Sequence, residues 1–149
     1  MPMSARDETL KKLSLLPDYT EVGIGSALPY VDIPLVSVNY QFCNGIVVRG
    51  KTYLLVHFFP HNLSEYIITQ LIENKIRSRK QKAYVEAGAN LDNIINFCRH
   101  NSIEVVDYYL EQDYLTDMGI RMYSRDILVL PSIEETWHFT RHGKAVIKI

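Results

Sequence analysis

Residues 37–61, SVNYQFCNGIVVRGKTYLLVHFFPH, decide how the rest of the chain is read. Leu35–Phe42, Gly45–Arg49 and Thr52–Phe59 read as apolar alternating segments rich in Val, Tyr, Leu and Phe, with a turn at Arg49-Gly50-Lys51. Period two is the mark of a strand with unlike faces, so these segments predict a β-meander. On an unbroken first strand Ser37, Asn39, Gln41 and Cys43 share one face. Folding at the turn then brings His57 back towards Cys43, fourteen positions earlier. A thiol is a nucleophile only as thiolate, and a neighbouring imidazole can take its proton and later return it to a leaving group. Ser37 is placed to orient that imidazole. The bland reading of Cys43 is a small buried hydrophobe, the commonest fate of a free cysteine.

After Pro60 the period changes. Leu63, Ile67 and Leu71 fall on one helical face with Ile68, Ile72 and Ile76 beside them, and Asn62 with Glu65 forms a capping pair. The basic run Lys75–Lys82 closes this helix and begins a loop, either as a solvated helix end or as a dock for an acidic partner. A strand is expected over Ala83–Ala87 and a second helix from Leu91 to about His100, with Asn90 as N-cap and Leu91, Ile94, Ile95 and Cys98 inward. Further strands are expected at Ile103–Leu110, Gly119–Tyr123, Ile127–Leu130 and Lys144–Ile149. Upstream, residues 1–18 read as an N-terminal arm with Leu10, Leu13 and Leu16 at helical spacing, and residues 19–149 as a single domain. Gly23-Ile24-Gly25-Ser26 is not a phosphate loop, since neither the lysine nor the following helix is there. Two helices between two runs of strands predict an α+β domain, with the helices packed on one side of mostly antiparallel β-strands.

A chain of 149 residues with 47% hydrophobic and 22% charged residues and a net charge of −1 describes a globular protein without the basic excess of a nucleic-acid binder. Its two cysteines make no disulfide framework, which suits a reducing compartment and a cytoplasmic setting. No cleavable signal and no membrane span are expected from the N-terminus or from any apolar run.

The order of these segments resembles the chemoreceptor glutamine deamidases of bacterial chemotaxis (the CheD family). The resemblance rests on Ser37, Cys43 and His57-Phe58-Phe59-Pro60, then on Ala83–Ala89, Asn93–His100 and Ser102–Val106, and covers about Leu35 to Leu130. Ser37 stands where the family has threonine, and Asn39, Gln41 and Phe42 replace the family's glycines and serine ahead of the cysteine. Bacterial effectors that deamidate host glutamines are similar in their Cys-His pair.

The resemblance implies a CheD-like layered domain and a hydrolase that converts protein glutamine to glutamate with release of ammonia, through a thioester on Cys43. His57 would be the base and acid, Ser37 its orienting group, and backbone N–H groups near Asn44 and Gly45 the substrate-binding and oxyanion donors. No cofactor and no metal would be needed, and the partner would be a protein substrate, chemoreceptor-like or from a host. A secreted effector is an alternative to the cytoplasmic setting. The rival function is an inactive protein-interaction module of the same fold, built on the ten tyrosines. A metal site from Cys43, His57 and His61 is a third reading. His100, His138 and His142 lack companion acids at useful spacing and are expected on the surface.

Overall fold

The computed structural model describes residues 4–23, 26–30, 32–40, 43–58, 65–74, 80–88, 91–110, 114–116, 119–121 and 125–149. It is an α+β fold built on two five-stranded mixed sheets. The first sheet has the order β1 (Thr20–Glu21), β3 (Leu35–Tyr40), β10 (Arg125–Leu130), β11 (Glu135–Thr140), β12 (Gly143–Lys148). The second runs β2 (Ser26–Tyr30), β5 (Tyr53–Phe58), β4 (Asn44–Arg49), β6 (Gln81–Ala87), β7 (Ile103–Leu110). A short hairpin, β8 (Tyr114–Thr116) with β9 (Gly119–Arg121), completes the described strands.

Residue parity sorts the side chains into layers. Helix α1 (Ala5–Leu13) is capped by Ser4, whose hydroxyl accepts from the Asp7 N–H at 3.1 Å, and it packs Ala5 and Leu13 with Val36, Leu128, Leu130 and Phe139 on the outer face of the first sheet. On the outer face of the second sheet lie α2 (Glu65–Glu73) and α3 (Leu91–His100), whose Ile67, Leu71, Ile94 and Cys98 join Ile46, Val48, Leu54, Val56 and Phe58. Between the sheets the alternate residues meet: Leu35, Val47, Tyr53, Leu55, Tyr84, Ile127 and Val129, with Cys43 among them. Burial of both faces explains the unbroken apolar runs Ile46–Val48 in β4 and Tyr53–Val56 in β5.

The expected meander is corrected. Only its second and third strands are neighbours, with Gly45 opposite His57 and Val47 opposite Leu55. The first, β3, pairs with β10 in the other sheet, so the chain crosses between sheets just before Cys43. The turn between β4 and β5 is held from outside by Asn74, which accepts from the Thr52 N–H (2.9 Å) and hydroxyl (2.8 Å) and donates to the Thr52 carbonyl (3.1 Å). Gly50 is required there because a Cβ would collide with the Asn74 backbone carbonyl.

Strands β6 and β7 are parallel, joined through α3, and β1 is parallel to β3, while the other described pairs of the two large sheets are antiparallel. The basic run does not end wholly in a loop, because Gln81 and Lys82 already belong to β6. Ile72 is half exposed, so the apolar face of α2 is narrower than its sequence suggests. Strand β11 was not expected. Its sequence ETWHFT turns Trp137 and Phe139 towards α1 and Thr136 and His138 towards the second sheet, and polar inward residues hide the alternation. Asn62 and Asn90, expected as helix caps, and also Leu63 and Ile76, lie outside the described residues.

Candidate functional site

Three sequence-selected side chains enter the layer between the sheets from different places. Ser37 comes from β3 in the first sheet and His57 from the end of β5 in the second, and both are buried. The Ser37 hydroxyl donates to the Val22 carbonyl at 2.9 Å and lies 2.8 Å from His57 Nδ1. A hydroxyl has one proton, and a carbonyl can only accept. With that proton on Val22, Ser37 must accept from Nδ1–H, which makes neutral His57 the Nδ1–H tautomer with its lone pair on Nε2. Burial, reinforced by the positive charge of Arg125, lowers the His57 pKa to about 4, so the ring is neutral at neutral pH.

Cys43 immediately precedes β4. Gly45 faces His57 in the ladder, and the parity of β4 puts Cys43, two residues before Gly45, on the same inter-sheet side as His57. Its thiol is 5% exposed as a residue, and burial raises its pKa against a smaller opposing effect of Arg125. Loss of water around the sulfur outweighs the nearby cation, so the thiol rests protonated at neutral pH. Cys98, fully buried on the inner face of α3, is pushed up to about 11 by burial alone.

Asn44 and Gly45 have other tasks in the resting chain. Asn44 is buried, and its Oδ1 accepts from the Gly88 N–H at 2.9 Å, tying the start of β4 to the end of β6. Gly45 stands between His57 on one side and Glu86 on the other.

Sequence reasoning missed the charged centre of this layer. Arg125, fully buried, donates through Nη1 to Glu86 Oε2 (3.0 Å) and the Ala87 carbonyl (3.0 Å), and through Nη2 to the Cys43 carbonyl (3.2 Å). Glu86 accepts from the Tyr84 hydroxyl at 2.6 Å, and His138 Nδ1 lies 3.5 Å from the same carboxylate. His138 is thus buried, contrary to its surface assignment, with Tyr109 edge-on to its ring at 5.1 Å; His100 and His142 are exposed. The available signal was parity: Arg125 shares its strand face with Ile127 and Val129, a charged residue in register with an apolar stripe.

Among the described residues no three His, Cys, Asp or Glu side chains gather as metal ligands, and His61 lies outside them. No described helix is long and apolar enough to cross a membrane. No protein-family model and no curated protein matches the chain.

Proposed function

We propose that this chain is a cysteine-dependent deamidase of protein glutamine. The observation that carries the reading is the bond chain from His57 Nδ1 through Ser37 to the Val22 carbonyl, which leaves Nε2 as the basic nitrogen of a neutral imidazole. Orientation of a base by a third group is the arrangement that cysteine and serine hydrolases share.

Because the Cys43 thiol rests protonated, its proton passes to His57 Nε2 as the sulfur attacks the glutamine carboxamide carbon, instead of before substrate arrives. The C–S bond forms and the carbonyl electrons move to oxygen. The imidazolium then protonates the amide nitrogen, the C–N bond breaks and ammonia leaves. Water, deprotonated by Nε2, adds to the thioester, and rupture of the C–S bond gives glutamate and returns the proton to Cys43. The proposed substrate is a glutamine side chain of another protein, chemoreceptor-like or from a host, and the proposed setting is cytoplasmic.

One observation favours the second reading, an interaction module of the same fold without activity. Cys43 and His57 are 5% and 1% exposed, a closed arrangement for a pair that must admit a side chain. Ammonia release and a mass gain of about 1 Da on glutamine peptides, both lost in Cys43→Ala, are the expected results, the nucleophile having no substitute. Absence of turnover, with iodoacetamide labelling Cys43 no faster than Cys98 and unaffected by His57→Ala, would establish the interaction module instead.

A further inference from the structure

Arg125 reaches from β10 in the first sheet to three acceptors in the second: the Glu86 carboxylate, the Ala87 carbonyl and the Cys43 carbonyl. A well-packed apolar pair of the same volume would join two sheets as well or better, so cohesion alone does not account for an ion pair buried here. We propose that Arg125 is a positioning residue for Cys43, pinning its carbonyl against the end of β6 and setting a permanent positive charge behind the thiol and the His57 ring. This role rests on the reading of Cys43 as nucleophile.

Two consequences follow from the geometry. In a trans peptide the carbonyl and the following N–H point in opposite directions, so a Cys43 carbonyl held by Arg125 turns the Asn44 N–H away from the guanidinium and stops that peptide from flipping. The planar guanidinium fork also meets acceptors on two segments at once, which a lysine ammonium on a flexible stem does not reproduce. The charge then acts on both partners in the proton transfer. It opposes the effect of burial on Cys43 and adds to the effect of burial on His57, favouring thiolate and disfavouring imidazolium. Among the described residues the other groups at this centre are Ser37 from β3, Tyr84 and Glu86 from β6, Tyr109 from β7 and His138 from β11, with the Asp107 charge of β7 acting on Tyr84. Tyr84, donating to Glu86 and held well above its ordinary pKa by burial and by that carboxylate, stays neutral.

The test compares the unmodified chain with Arg125→Lys and with the double variant Glu86→Gln/Arg125→Met, which removes both buried charges together. Iodoacetamide labelling of Cys43 is followed against pH by intact-protein mass, and the His57 ring is titrated by NMR. In the double variant the Cys43 inflection should move up by about one pH unit, lowering the thiolate fraction about tenfold below it. His57 should titrate at higher pH. Arg125→Lys should keep the inflections near their original places but alter the limiting labelling rate at high pH, because the charge is retained while the carbonyl is released. Unchanged inflections in a folded double variant would overturn the proposal; if that variant does not fold, an unchanged labelling profile in Arg125→Lys would do so. None of these readouts needs turnover, so shifted inflections without ammonia release would remove the deamidase and leave the role of Arg125 standing.

Discussion

The two faces of the second sheet bury a cysteine each, and the surroundings make them different residues. Under the helices, Cys98 packs among Ile46, Leu54, Val56, Ile94 and Ile103, and burial alone acts on its thiol. Facing the other sheet, Cys43 shares its layer with Arg125, Glu86, His57 and Ser37, and a fixed cation works against the effect of burial. Burial is nearly equal, 0% and 5% exposed. What differs is whether the layer carries charge and a base, and a layer that carries them gives up apolar packing to do so.

That difference can be broken at its largest element first. Arg125→Ala leaves the Glu86 carboxylate buried with its cation gone and should cost about 3–5 kcal/mol in urea unfolding, whereas Glu86→Gln/Arg125→Met, which strands no charge, should cost clearly less. Equal losses would mean that the ion pair matters only as filled volume.

Next in size is the pH dependence of stability. His57 titrates near its ordinary 6.5 when unfolded and at about 4 when folded. The unfolded chain therefore binds more protons between these values, and stability, full above 6.5, should fall as pH drops towards 4 and level off below it. The loss from this residue is on the order of 3 kcal/mol. His57→Gln should flatten that part of the profile measured by denaturant melts, and an unaltered slope would locate the acid sensitivity elsewhere.

The smallest effect is expected at the surface, where Arg49 meets Glu134 at 2.6 Å with both side chains solvated. Glu134→Gln should change stability by less than about 1 kcal/mol, and salt should erase the difference. A larger change would blur the distinction between the buried pair and this one.

Legibility in the sequence followed the physics of each segment. Helix α3 was readable to within a residue at each end because Leu91, Ile94 and Cys98 repeat at helical spacing on a single buried face. The pairing of β4 with β5 was readable because one short turn joins them, and their register follows from it. Ser37 beside His57 was anticipated from parity, although the two meet across sheets and not along a meander. His138, Glu86 and Arg125 were illegible as a group because their positions in sequence are set by three strands, β11, β6 and β10, whose order in space no local pattern encodes.

By itself, then, the sequence determined the strand and helix periods and the turn at Arg49-Gly50-Lys51, since each of these depends on neighbours a few positions apart. Only the tertiary structure decided that β3 leaves for the other sheet and that Arg125 spans the gap to the Cys43 carbonyl. It also decided that the Cys43 thiol rests protonated and that the His57 imidazole is neutral. Desolvation and charge act through space, and side chains 82 residues apart along the chain, as Cys43 and Arg125 are, influence one another only once two sheets have closed over them.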